Sequence, residues 1–148
     1  MTDGGPARPE TERELLAMMP FAVALGIELA AASATEVRGH LAWSPERCTA
    51  GGIMHGGVLM ALADSLGGIC AHLNLPPGAR TATISSSTVF LRGIQAGTVT
   101  AVTRPLHAGR AVIVVQTDLT GDDGNLAAQV TQTQAVRAGA PAAPGPRR

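Results

Sequence analysis

The stretch from about His55 to Leu73, HGGVLMALADSLGGICAHL, constrains this chain more than any other. Glycines punctuate its start, and its apolar residues recur with helical spacing. At about 100° per residue, Val58, Leu59, Leu62, Ala63, Leu66, Ile69, Cys70 and Leu73 fall on one continuous stripe, which predicts a helix laid on a sheet. A surface helix would carry Lys, Glu, Arg and Gln on its other face. Here that face reads Met60, Ala61, Gly67, Gly68 and Ala71 around Asp64, which is the only Asp, Glu, Lys or Arg in the segment. Each interior glycine costs up to about 1 kcal/mol relative to alanine, and close approach of another backbone would offset that. The outer face is therefore expected to lie against a second subunit, with an isolated carboxylate at its centre.

The rest of the chain supplies a partner for the apolar stripe. Residues 35–43, TEVRGHLAW, alternate with Val37, Leu41 and Trp43 on one side and Glu36, Arg38 and His40 on the other, the pattern of a half-buried strand. Four more runs rich in Thr, Val and Ile follow the helix, at 81–91, 97–105, 110–120 and 125–136. The turn signals RGIQAG, LHAG and GDDG that separate them are short enough for antiparallel neighbours. One strand, one long helix and four hairpin-linked strands predict an α+β domain with an antiparallel sheet. Thr11, followed by Glu12, Glu14, Leu15, Leu16 and Met19, predicts a short amphipathic helix ended by Pro20 and packed at the sheet edge. Residues 1–9 and 138–148 are dominated by Gly, Pro, Ala and charge and are expected to form loose tails, leaving one domain over 10–137.

Several function classes are disfavoured. Eleven Lys plus Arg balance eleven Asp plus Glu, and the chain has no Tyr, one Trp and two Phe. It therefore has neither a basic excess for a phosphate backbone nor stacking platforms for bases, and no nucleic-acid partner is expected. With no apolar leader in MTDGGPARPETERE and no run of about 18 apolar residues, a soluble, cytoplasmic protein without a membrane partner is expected. Cys48 and Cys70 form no CxxC or Cys/His cluster, so both are expected to be reduced and no metal site is predicted. His40, His72 and His107 have no paired ligand spacing, and Ser85, Ser86 and Ser87 lack the GxSxG surroundings of a serine nucleophile.

Two features can carry chemistry. Gly51, Gly52, His55, Gly56 and Gly57 surround the helix start, where backbone N–H groups lack intrahelical partners and the macrodipole is positive. Such a terminus can hold an anion or polarise a carbonyl; with no GK[ST] following, it is not a P-loop. The other feature is Asp64, mid-helix, where Asp has poor propensity and cannot cap. Eight residues of helix, about 12 Å, separate Gly56 from Asp64. A base and an oxyanion donor must both lie within about 3 Å of the reacting groups. Two such helices packed antiparallel about a two-fold axis would bring Asp64 of one copy to Gly56 of the other.

The run GGIMHGGVLMALAD, then TATISSSTVFLRG, then HAGRAVIVVQTDLTGDDGNLAAQVTQT, resembles the hotdog-fold thioesterases of the phenylacetate-degradation (PaaI-like) type, within the 4-hydroxybenzoyl-CoA thioesterase superfamily. The resemblance covers roughly residues 20–136, and its signature HGGxxxxLxD is carried by His55, Gly56, Gly57, Leu62 and Asp64. It implies a long helix wrapped by a curved antiparallel sheet, dimerisation that joins two sheets, a homotetramer built as a dimer of dimers, and hydrolysis of an acyl-CoA substrate without metal or organic cofactor. By the same resemblance, Asp64 is the general base or nucleophile and the Gly56 N–H polarises the thioester carbonyl. His55 holds the loop or the substrate, and Thr83 orients the carboxylate or its water. Thr49 occupies a position where related enzymes often carry Asn or Gln, and Gly93 stands where Pro usually follows Arg92. The implied substrate-binding residues are Gly57, Met54, Ile84, Phe90, Arg92 and Arg110, the two arginines toward the coenzyme A phosphates. An alternative reading is a regulatory hotdog protein that binds acyl-CoA without hydrolysing it. A hotdog hydratase would need an Asp/His or His/Glu pairing that this helix lacks.

Overall fold

A computed structural model describes residues 11–139, so residues 1–10 and 140–148, with nearly all of both expected tails, lie outside the described residues. The order of elements is α1 (Glu12–Ala17), α2 (Pro20–Leu25), β1 (Glu28–Ala32), β2 (Val37–Ala42), α3 (Gly56–Leu73), β3 (Arg80–Phe90), β4 (Thr98–Ala108), β5 (Val112–Thr120) and β6 (Leu126–Arg137). The strands form one antiparallel sheet in the order β1-β2-β4-β5-β6-β3, so β3 leaves the helix and lands on the far edge, beside β6. The α+β architecture is the one the sequence predicts.

Helix α3 lies on one face of this sheet and uses its apolar stripe as the core. Leu59, Leu62, Ala63, Leu66, Ile69 and Cys70 are buried with Val37, Leu41, Val99, Ala101, Ile113, Val115, Leu119 and Val130. The strand residues come from alternating positions, as the two-residue period of a strand requires. By length and composition α3 could cross a membrane, contrary to the expectation that no such run exists, but half of it is buried inside the domain as a core helix. At its C-terminus Asn74 Nδ2 donates to Cys70 O and to Ala34 O, each at 2.8 Å, tying the end of α3 to the β1–β2 turn.

Three expectations need correction. Pro20 does not simply end a helix: α1 stops at Ala17 and Pro20 is the first residue of α2, a position where its missing N–H is harmless. A Thr11–Glu14 capping box starts α1, and Gly26, at φ 91°, ends α2 in the left-handed region. Strand β1 was not foreseen; its alanine-rich ELAAA has weak strand propensity and is held by pairing with β2, with a bulge between Leu29 and Ala31. Gly67 and Ala71, assigned above to the outer face of the helix, are buried within the chain. A Cβ at Gly67 would fall on Gln132 Oε1, so this glycine makes room for the chain's own sheet rather than for a second subunit.

Candidate active site

The start of α3 is held by a folded loop. After the 3-10 turn Pro45–Arg47, the chain passes Thr49 and turns through Gly51 (φ 80°) and Gly52 (φ 73°), conformations open to glycine. The turn closes with Thr49 N donating to Ile53 O at 2.8 Å and Trp43 Nε1 donating to Gly52 O at 3.0 Å. Met54 N donates to Ile94 O at 2.7 Å and His55 N to Arg47 O at 2.8 Å, which fastens both sides of the loop. Arg47 is the anchor: its guanidinium donates to Leu25 O at 2.7 Å and to Ala42 O at 2.9 Å. Sequence reasoning did not single out Arg47, because a lone arginine in a loop has no pattern to give it away.

His55 is the N-cap of α3, and its Nδ1 accepts the Gly57 N–H at 2.8 Å. This is a cap by imidazole where an Asp or Ser oxygen is usual. It takes one of the orphan amides, places the remaining ring proton on Nε2, and engages the Gly57 N–H within the chain. The Gly56 N–H, one residue earlier, has no acceptor among the described residues. Gly56 lines a cavity of about 370 Å³ with Thr49, Ile53, Met54, Leu59, Phe90, Leu91, Arg92, Gly93 and Ile94. The Phe90 ring packs so close to Gly56 that a Cβ there would lie 3.0 Å from Cζ. Gly93 likewise faces Ile53, 3.2 Å from where its Cβ would be, so the absence of proline after Arg92 leaves a close contact in place. Thr49, Met54, Gly56, Phe90 and Arg92, named separately from sequence, thus share one cavity.

Asp64 does not line that cavity. It borders a second one of about 250 Å³ with Gly57, Met60, Ala61 and Ser86. Its Oδ1 accepts a hydrogen bond of 2.6 Å from Gln132 Nε2, on β6, a partner that the sequence analysis did not identify. Thr83 donates from Oγ1 to Gln134 Oε1 at 3.1 Å. Ile84, 63% exposed, lies on β3, while Met54, in the loop before α3, is buried. Arg92 follows β3, and Arg110 lies in the β4–β5 turn at the other end of the sheet, so one chain does not bring them together. Among the described residues no three His, Cys, Asp or Glu gather into a set able to hold a metal ion.

A model of the thioesterase superfamily matches residues 51–128, from the glycine turn to the start of β6. The chain belongs to the thioesterase superfamily. In sequence, this thioesterase-superfamily chain is 36% identical over 86 residues to PA1618 of Pseudomonas aeruginosa, provisionally named an esterase. That match spans 57% of this chain and 59% of the relative. In three dimensions it is similar to a crystal structure of a mutant thioesterase PA1618, with TM-score 0.82 and 28% identity, covering 88% of this chain and 96% of that one. It is similar also to thioesterase HI1161 of Haemophilus influenzae, with TM-score 0.80 and 26% identity, covering 86% and 90% of the two chains. The arrangement of α3 on its six-stranded sheet is the hotdog fold of these thioesterases.

Proposed function

We propose that this chain hydrolyses acyl-coenzyme A thioesters to a free acid and coenzyme A, at a site completed between two copies. One observation carries the reading. The unengaged Gly56 amide opens on an apolar cavity at the positive end of α3, whereas the only carboxylate of that helix borders a different cavity of the same chain. Each copy holds half of a hydrolytic site, and an antiparallel pairing about a two-fold axis joins the halves.

In this mechanism the thioester oxygen lies against the Gly56 N–H, which donates more strongly as negative charge develops on that oxygen. Asp64 of the partner subunit takes a proton from water, whose oxygen attacks the carbonyl carbon. The tetrahedral intermediate then collapses, the carbon–sulfur bond breaks, and the thiolate leaves to be protonated. In the other route open to a carboxylate, Asp64 attacks directly and water cleaves the resulting anhydride. Label found in the Asp64 side chain after a single turnover in H₂¹⁸O would mark the anhydride route with water attacking the Asp64 carbonyl, since the general-base route places label only in the product acid. Neither route asks for a metal or organic cofactor.

Edge strand β3 supports the pairing. It is 11 residues long, its outer edge has no neighbouring strand among the described residues, and it exposes Ile84, Val89 and Phe90. Such an edge is a template for a second chain. Release of free thiol from a panel of acyl-CoAs tests the activity. Wild-type protein should turn over, and Asp64→Asn should lower kcat by about 10²–10⁴-fold while leaving a folded oligomer. Undiminished turnover by Asp64→Asn would sink the assignment. Thr49, where a longer amide is common, favours a second reading in which the chain binds acyl-CoA without cleaving it. Tight binding without thiol release across the panel would support that reading.

A further inference from the structure

We propose that Gln132 is a positioning residue for Asp64, backed by Gln134 and Thr83 in a line of hydrogen bonds that runs through the two buried glutamines and ends on the exposed carboxylate. The inference rests on the reading of Asp64 as the reacting group. It begins with two side chains that do not belong in an apolar core: Gln132 and Gln134 are each 1% exposed, on the face of β6 that also buries Val130. Burial of an amide is unfavourable unless its hydrogen bonds are made.

Half of those bonds are in place. Gln132 Nε2 donates to Asp64 Oδ1 at 2.6 Å, and Thr83 Oγ1 donates to Gln134 Oε1 at 3.1 Å. Gln132 thus turns its NH₂ toward Asp64 and its carbonyl away. The two ends left over are Gln132 Oε1 and Gln134 Nε2, both buried and without a partner among the described residues. One is an acceptor and the other a donor. They stand two residues apart on one strand face, about 6.6 Å along the strand, a gap two glutamine side chains can span. Joining them gives a line in which every donor points the same way, from the Thr83 hydroxyl through Gln134 and Gln132 to Asp64. Hydrogen bonds so aligned polarise one another, and together they hold the last acceptor in one place. Gly67 bears on the same point independently. The space that a side chain on α3 would fill at that position is occupied by the Gln132 carbonyl oxygen. The line engages Oδ1 and leaves Oδ2 of Asp64 for water or substrate.

Kinetics and side-chain NMR test this together on the full-length protein. Gln132→Leu should lower kcat about 10- to 100-fold with KM unchanged, a split that loss of packing alone does not produce. Gly67→Ala, which forces the amide aside, should lower kcat similarly, and adding Gln132→Ala should cause little further loss. In ¹⁵N–¹H spectra, Asp64→Ala should move the side-chain NH₂ signals of both Gln132 and Gln134, and so should Thr83→Val. If each substitution moves only the nearer glutamine, the line is broken and the proposal is overturned. If Gln132→Leu and Gly67→Ala keep full kcat while Asp64→Asn is dead, positioning is refuted and the thioesterase reading stands. If Asp64→Asn keeps full turnover, the catalytic reading falls, and the coupled NMR shifts still decide whether the line exists.

Discussion

At the scale of single residues, the loop before α3 owes its shape to one arginine outside the cavity it borders. Arg47 ties α2, β2 and the loop before α3 together through the Leu25 and Ala42 carbonyls. Arg47→Ala should destabilise the domain by about 2–3 kcal/mol, read as a lower urea midpoint at unchanged m-value. Gly26 belongs to the same contact, since a Cβ there would collide with the Arg47 guanidinium. The two thiols should behave differently. Burial pushes Cys70 up to about 11, whereas Cys48 is half-buried. Ellman's reagent at pH 8 should therefore titrate one thiol in the folded protein and two in denaturant. The sign of the linkage follows: Cys70 binds its proton more tightly when folded than when unfolded, where its pKa is near 9. Its contribution to stability is complete below that value and fades between pH 9 and 11.

Elements with a strong period were legible in the sequence, and those held by tertiary contacts were not. The 3.6-residue stripe of α3 and the strict alternation of β5 place both within a residue or two of where they lie. Strand β1 escaped because ELAAA has no alternation to read, and its place depends on Gly39, where a Cβ would lie 2.9 Å from Glu28 O. Gly39→Val should accordingly loosen the β1–β2 edge, seen as faster amide exchange there than in β5. Of the candidate site, the glycine-rich helix start was legible on its own, whereas Thr49 and Arg92 were named through the family resemblance; with Met54, Gly56 and Phe90 they line one cavity. Gln132 was not legible. In the sequence it is one of several Gln and Thr alternating through AAQVTQTQAV, and only the packing of β6 beneath Gly67 distinguishes it from its neighbours.

For the whole molecule, the proposed sharing of a site leads to a sharp test. Gly56 is the first residue of α3, and the backbone of His55, at φ −59° and ψ 133°, already suits a following proline. Gly56→Pro should remove the N–H and the activity while keeping the helix. Mixed after dissociation with equally inactive Asp64→Asn, it should recover about a quarter of wild-type activity, because half of the random dimers then own one intact site of two. No recovery in mixed oligomers would place both groups in the same chain's site. The two borders of the sheet are unequal. Strand β1 is five residues long, bulged and flanked by α1, while β3 is long and has no strand on its outer edge among the described residues. A sheet that can be lengthened from one border alone can be lengthened only once. In the proposed pairing, two copies joined there would leave blunt ends on both sides, so the sheet would stop growing at a pair where one with two open borders would run on into fibres.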